Sequence, residues 1–268
     1  MASYAAPLHR YASPLRRWLR QRGYQVAAVT PPEAVELLRE AAVSAAMVPL
    51  ASYREAGGRL CRMAPMVWSR GETMSVVVVS RDGRGLGECG RIAVTGESRT
   101  SILYLAAVLA EMGVEATLAP MRARGALALL REAPCALVLG DNALEARARG
   151  LSVVADVGAL VYKLFRVHPV YAVSVAAPGE RCPRGPPWPR ALERDAVETS
   201  RATGLPLWMA RRYHQVVRLE YNEQALLESL WLLRRGAGLL PGLLEEPGEE
   251  ASHGVIGGGS TGAWGPGW

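Results

Sequence analysis

The apolar positions of the chain follow two spacings, one typical of β-strands and one typical of α-helices, and the two alternate along the sequence. The clearest strand is the continuous β-branched run MSVVVVS at 74–80. Other short apolar runs predict strands at 44–50, 91–96, 135–140, 151–158 and 169–176. Helical spacing predicts helices at 13–23, 31–42, 99–112, 122–133, 142–150, 190–204 and 222–238. The alternation predicts an α/β protein with mostly parallel sheets.

Two stretches rich in glycine or proline interrupt this alternation. SRDGRGLGECG at 80–90 and PGERCPRGPPWP at 178–189 are typical of crossing or surface loops. They predict a discontinuous first lobe, 1–86 with 177–244, and an inserted second lobe, 87–176.

Composition limits the class of protein. Half of the 268 residues are apolar, which suffices for a substantial core. No apolar run reaches the roughly 18 residues of a membrane span, and the start lacks the pattern of a secretory signal, so we expect a cytoplasmic protein. Residues 245–268 are rich in glycine without an apolar period, which predicts a disordered tail.

The net charge is +6, and Lys163 is the only lysine among the basic residues. Arginine suits the recognition of carboxylates and phosphates. The arginines are spread along the chain and interleaved with acids, whereas a nucleic-acid-binding protein shows a basic stripe with stacking aromatics. The pattern therefore predicts a small-molecule partner and no nucleic acid.

The four cysteines, Cys61, Cys89, Cys135 and Cys182, lie far apart in the sequence. They form no C-x-x-C pair, and no histidine lies at metal-ligand spacing from them. This spacing predicts free, partly buried thiols rather than a zinc site or a disulfide framework.

The segment GLGECG at 85–90 matches the glycine fingerprint of dinucleotide-binding proteins. That fingerprint requires a helix directly after the glycines, because the pyrophosphate binds at a helix N-terminus. Here the strand RIAVTG follows, so we predict a flexible crossover that binds neither NAD nor FAD.

The segment GESRTS at 96–101 ends a predicted strand and opens a predicted helix. Ser98 is the natural N-cap, and Arg99, Thr100 and Ser101 add a guanidinium and two hydroxyls. The first N–H groups of a helix lack internal partners, and the helix dipole favours an anion there. Taken alone, this pattern fits a simple cap and a small-anion site equally well.

A second polar segment, LVLGDNAL at 137–144, follows the same logic. It places Gly140 and Asp141 at the carboxyl end of a predicted strand, where open α/β sheets bind ligands. A cap on the next helix is the simpler interpretation of Asp141.

The histidines belong to no recognisable catalytic signature. His168 and His214 are isolated, and we interpret both as structural or surface residues. His9 lies close to Ser3 and Tyr4, and it is not assigned a structural role.

The order and spacing of ESRTS, LVLGDNAL, DVG and HPVYAV resemble those of menaquinone-biosynthesis proteins of the futalosine pathway, in particular the chorismate dehydratase family. The similarity covers roughly residues 3–240. It implies two α/β lobes like those of a type II periplasmic binding protein, with the ligand in the cleft between them. It also implies a lyase that removes water from chorismate to give 3-[(1-carboxyvinyl)oxy]benzoate without a metal or an organic cofactor.

The resemblance also implies the residues of the substrate site. A carboxylate would bind at 98–101, and the second-lobe wall would include Gly140 and Asp141. Ser3 and Tyr4 match the start of the family segment S-Y-L-N-x-x-P. They would complete a substrate site made of Ser3, Tyr4, Ser98, Arg99, Thr100, Ser101, Gly140 and Asp141.

The chain departs from the family pattern in the first lobe. The family asparagine falls on Ala6, so no catalytic residue is assigned, and a family Ser-Ser pair falls on Pro49 and Leu50. The start of the chain also leaves little room for the family's first strand. A non-catalytic two-lobed protein for a small carboxylate and the related 1,4-dihydroxy-6-naphthoate synthase activity therefore stay open as alternatives.

Overall fold

Two β-sheets organise the computed structural model, which describes residues 2–123 and 125–245. The predicted α/β class is confirmed, but the prediction of mostly parallel sheets is wrong. Of the strand pairs within the described residues, four are parallel and six are antiparallel. Within the described ranges, no helix is long and apolar enough to cross a membrane. The predicted tail lies outside the described residues apart from Glu245.

The first sheet has seven strands and belongs to the first lobe. Its strands are β1 (Ser3–Pro7), β2 (Gln25–Val29), β3 (Ala45–Pro49), β4 (Arg59–Leu60), β5 (Met66–Ser69), β11 (Val170–Ala176) and β12 (Val217–Arg218). Their order is β12-β5-β11-β3-β1-β2, with β4 beside β11. β1 runs parallel to both β2 and β3, so the first strand is present, contrary to our expectation.

The second sheet has five strands and belongs to the second lobe. Its strands are β6 (Val76–Ser80), β7 (Arg91–Thr95), β8 (Thr117–Met121), β9 (Cys135–Leu139) and β10 (Ser152–Asp156). Their order is β10-β6-β9-β7-β8, in which β7, β8 and β9 are parallel.

This division of strands differs from the predicted boundaries at 86/87 and 176/177. β6 belongs to the second sheet, and β11 belongs to the first. The chain therefore crosses between lobes after β5 and before β11. Each of the glycine- and proline-rich stretches is a loop within a single lobe. Their composition indicates irregular backbone, but it does not indicate that the chain passes from one sheet to the other.

Nine helices cover the sheets within the described part of the chain. They are α1 (Ser13–Gln21), α2 (Pro31–Arg39), α3 (Arg99–Met112), α4 (Ala126–Glu132), α5 (Gly140–Ala148), α6 (Val157–Phe165), α7 (Glu193–Thr203), α8 (Leu207–Val216) and α9 (Glu223–Leu239). The sequence did not predict α6 or α8. β-branched residues around the start of α6 suggested a continued strand, but Asp156 caps the helix by accepting the N–H of Ala159 at 3.0 Å.

The α3 helix, which follows β7 of the second sheet, is buried from Thr100 to Leu109. It packs along α9 of the first lobe. Gly236 makes this possible, because any Cβ there would meet the backbone of Leu103. This close packing fixes where α3 begins.

The prediction of free thiols is wrong, since all four cysteines form disulfides. Cys61 pairs with Cys182 in the first lobe, and Cys89 pairs with Cys135 in the second, each with Cα atoms 5.6 Å apart. Sequence spacing did not reveal these pairs because β-sheet neighbours bring them together. Cys89 precedes β7, and Cys135 is the first residue of β9. The strands β7 and β9 are hydrogen-bonded neighbours in the second sheet.

Candidate functional site

A cavity of about 110 Å³ lies between the two lobes. Four parallel strands, two from each sheet, end at it. Their last residues are Pro7 and Pro49 in the first lobe and Thr95 and Leu139 in the second, and all four line the cavity. Ligands of α/β sheets bind outside the carboxyl ends of strands, so this cavity is the candidate site.

The second-lobe wall contains the beginning of α3. After β7 the chain makes a short turn at 96–98, and the helix follows at once. Thr100 and Ser101 line the cavity and are 4% and 5% exposed. The hydroxyl oxygen of Thr100 accepts the N–H of Ala51 at 3.1 Å, which leaves the hydroxyl proton for donation.

The neighbours of these hydroxyls occupy different positions. Arg99 pairs with Glu55 and does not line the cavity. The side chain of Ser98 lies outside the part of the structure that is described. Glu97 does line the cavity, although the sequence did not single it out.

The LVLGDNAL segment brings the two lobes into contact. Gly140 lines the cavity with φ +55°, and a Cβ at this position would lie 2.5 Å from Nδ1 of His9. Asp141 does not line the cavity. Its carboxylate accepts the backbone N–H of Arg10 at 3.1 Å and lies 3.8 Å from that residue's Nε. The structure thus places Asp141 in a contact between the lobes.

Ser3 and Tyr4 lie at the amino end of β1, away from the cavity. The Tyr4 hydroxyl lies 2.8 Å from Oγ of Ser174, and burial raises the pKa of Tyr4 above its usual value. The hydroxyl of Ser3 accepts the N–H of Ser44 at 3.1 Å. The carboxyl end of β1 points to the cavity, so residues at its other end cannot reach a ligand there.

His9 is a cavity residue that the sequence left unassigned. It follows β1, and its carbonyl accepts a hydrogen bond from Nη1 of Arg16 at 3.1 Å. Burial lowers the pKa of His9, and the Arg16 charge acts in the same direction, whereas Asp141 and Glu97 oppose the shift. The ring stacks on Tyr11 at a centroid distance of 5.9 Å.

Further hydroxyls line the cavity near the crossing between β5 and β6: those of Ser69, Thr73, Ser75 and Tyr171. The Asp156 carboxylate holds this crossing by accepting the N–H groups of Thr73 at 3.1 Å and Met74 at 2.8 Å. Burial raises the pKa of Tyr171 well above its usual value, and the Asp156 carboxylate adds to the shift. Ser69, Thr73 and Ser75 lie within one segment, SRGETMS at 69–75, whereas Tyr171 comes from β11.

Of the predicted site residues, the structure brings Thr100, Ser101 and Gly140 together at the cavity. In the described ranges, no group of three or more His, Cys, Asp or Glu side chains could hold a metal ion.

Two lobes, each with its own sheet, and a cavity between them define the class of protein as one with the periplasmic-binding-protein fold. A protein of Archaeoglobus fulgidus shares it with a TM-score of 0.60 at 11% identity, over 88% of this chain and 97% of that one. The periplasmic aliphatic sulphonate binding protein SsuA of Escherichia coli matches with a TM-score of 0.60 at 12% identity, over 97% of both chains. The alkanesulfonate-binding protein SsuA of Xanthomonas axonopodis, solved with MOPS bound, has a TM-score of 0.60 at 13% identity, over 91% and 97%.

The sequence identifies a family within this class of proteins. The model of a menaquinone-biosynthesis family matches residues 8–180. The chain belongs to that family, which confirms the resemblance at the level of the family. No curated protein matches the sequence.

Proposed function

We propose that the protein is a chorismate dehydratase, a lyase that converts chorismate and releases water in the futalosine route to menaquinone. The observation that carries this proposal is the position of Thr100 and Ser101. In a chain of the menaquinone-biosynthesis family, these hydroxyls lie at the start of a buried helix and line the interlobe cavity.

The start of α3 suits one of the two carboxylates of chorismate. Unpaired N–H groups and the helix dipole favour an anion at this point. The Thr100 oxygen already accepts a hydrogen bond from Ala51, so its proton is oriented away from that N–H and can be donated to a carboxylate. Charge-assisted bonds of this kind are about twice as strong as neutral ones.

The remaining walls suit the ring of the substrate. Apolar side chains from both lobes line the cavity, among them Met47, Val67, Leu137 and Ala172. Such walls exclude water and match the planar aromatic product. Elimination then depends on orienting the ring and transferring one proton. A few positioned groups are enough for both.

The direct test is to incubate the purified full-length chain with chorismate and follow the product by mass spectrometry. We expect a product that lacks one molecule of water and carries an aromatic ring absorbance. Unchanged chorismate in the presence of folded protein would contradict the enzymatic proposal.

A second candidate is a non-catalytic binding protein for a small carboxylate. The residues Ala6 and Pro49 favour it, because they stand where the family pattern has an asparagine and a serine. It predicts that chorismate or its aromatic product raises the melting temperature without turnover. Turnover in the mass-spectrometric assay would exclude it.

A further inference from the structure

The first-lobe wall of the cavity carries a single imidazole. Ala6 supplies only a methyl group to β1, and β1 and β3 end at the cavity in prolines, Pro7 and Pro49. His9, two residues after β1, lines the cavity on this side. Its ring therefore supplies chemistry that the neighbouring strand ends do not.

The position of this ring is defined from both lobes. On the first-lobe side, Arg16 donates to the carbonyls of Pro7 and His9, which fixes the turn after β1. On the second-lobe side, the ring lies against Gly140, where an added Cβ would be 2.5 Å from Nδ1 and 2.8 Å from Cε1. Gly140 is thus the residue that makes room for the imidazole.

The surroundings of the imidazole favour its neutral form. Nδ1 is buried and has no hydrogen-bond partner in the described structure. The charged groups that act on the ring are Asp141 from α5, Glu97 from the turn before α3 and Arg16 from α1. Because burial dominates and lowers the pKa, His9 is a base near neutral pH, while the two carboxylates stabilise the imidazolium once a proton arrives.

The stereochemistry of chorismate allows a single acid–base group to carry out both proton transfers. In chorismate, the ether oxygen and the hydroxyl are bound to adjacent ring carbons and are trans to each other. The hydrogen on the ether-bearing carbon therefore lies on the same face of the ring as the hydroxyl. A single imidazole on that face can reach both. It can therefore act first as a base and then as an acid.

We propose that His9 is the catalytic residue that carries the proton in this elimination, an assignment that rests on the proposed dehydratase function. The neutral imidazole accepts the hydrogen of the ether-bearing carbon as a proton. The electron pair of that C–H bond forms the new C=C bond, and the C–O bond of the neighbouring hydroxyl breaks. The imidazolium returns the proton to the departing oxygen, so one water leaves and no oxidant or reductant is needed.

The first test is His9→Gln. We expect kcat to fall at least about 100-fold, the usual contribution of a general acid–base group, with KM within a few-fold of the wild type. The control is His168→Gln, since His168 lies outside the cavity and stacks on Tyr162. It should keep the wild-type kcat.

Two further measurements separate a catalytic from a structural role. In the wild type, kcat/KM should fall with decreasing pH on the acid side of the ordinary histidine pKa of about 6.5, because His9 must start neutral. His9→Gln should lose this limb. In His9→Ala, added imidazole should restore activity in proportion to its concentration, which a purely structural loss would not allow.

The outcomes distinguish the two proposals. A wild-type protein that is folded and inactive on chorismate overturns the proposed function. An active wild type whose His9→Gln variant keeps the same kcat and the same acid limb overturns the role of His9 alone. Loss of activity in His9→Ala without imidazole rescue, together with an unchanged pH profile in His9→Gln, also overturns it.

Discussion

The two lobes contribute to the same cavity in different ways. The second lobe presents the start of a buried helix, with the hydroxyls of Thr100 and Ser101 at the cavity. The first lobe presents the ends of β1 and β3, which are prolines, the His9 side chain after β1, and the hydroxyls of Ser69 and Tyr171.

This difference assigns substrate binding and proton transfer to different lobes in our proposal. A helix N-terminus attracts an anion whatever the substrate does next, because its N–H groups and dipole belong to the backbone. Proton transfer needs a titratable side chain at a defined place, and the residue that we propose for it, His9, is on the other lobe. The contact of Arg10 with Asp141 keeps the two walls together.

The lobes also differ in how their disulfides stabilise them, and this gives the largest expected effect. The pair Cys61–Cys182 closes 121 residues, and Cys89–Cys135 closes 46. Loop-closure entropy of the unfolded chain predicts losses of about 5 and about 4 kcal/mol when each pair is replaced by serine. Urea unfolding of the two double-serine variants measures both losses.

A reductant supplies the control for these variants. It should lower the unfolding midpoint of the wild type toward that of a variant lacking all four cysteines, and it should leave that variant unchanged. Wild-type stability in both double-serine variants would mean that neither bridge contributes.

The next effect tests the anion-binding wall alone. Ser101→Ala removes one donor from the start of α3, and we expect chorismate to bind about 10- to 100-fold more weakly, the effect of losing one hydrogen bond to a charged group. Calorimetric titration measures the Kd. Ser152→Ala is the matched control, because Ser152 is exposed on β10 in the same lobe and outside the cavity. Equal Kd values for the two variants would show that α3 does not hold the ligand.

The helix wall was also the part that the sequence could predict. Its signals are local: a strand, a short turn, hydroxyls and an apolar run follow one another in GESRTSILYLAAVL at 96–109. The predicted α3 at 99–112 matches the observed helix. The predicted helix at 222–238 corresponds to α9, and Asn222 caps it by accepting the N–H of Ala225. Local signals therefore predicted the helix that forms this wall of the candidate site.

The first-lobe wall depends on relations that no local pattern contains. The position of His9 at the cavity follows from β1 lying between β2 and β3, with its carboxyl end toward the second lobe. Because β1 runs in this direction, Tyr4 lies at the end of the strand that is remote from the cavity. The disulfides were missed for a similar reason, because strand pairing and not sequence spacing brings the cysteines together.

A smaller effect tests the contact between the walls. Gly140→Ala and Gly150→Ala both force alanine into a left-handed backbone, at φ +55° and +71°, which costs about 1–2 kcal/mol. Only at Gly140 does the new methyl meet His9, since nothing lies within 4 Å of a Cβ at Gly150. We expect similar losses from backbone strain, an added loss of stability at Gly140 from the clash with the ring, and a fall in kcat/KM for Gly140→Ala alone. Equal activity of the two variants would contradict the contact between Gly140 and His9.

The smallest effect concerns the amino end of β1, where the resemblance had placed part of the substrate site. Tyr4→Phe removes the hydroxyl that lies 2.8 Å from Ser174, so the free energy of unfolding should fall by about 1 kcal/mol. The Kd for chorismate should not change, because Tyr4 is fully buried in the core of the first lobe. Tyr171→Phe is the comparison within the same sheet: its hydroxyl is at the cavity wall, and its loss should weaken binding about five-fold. A weaker Kd in Tyr4→Phe, with Tyr171→Phe unchanged, would move the ligand to the opposite end of β1 and reverse the assignment of the first-lobe wall.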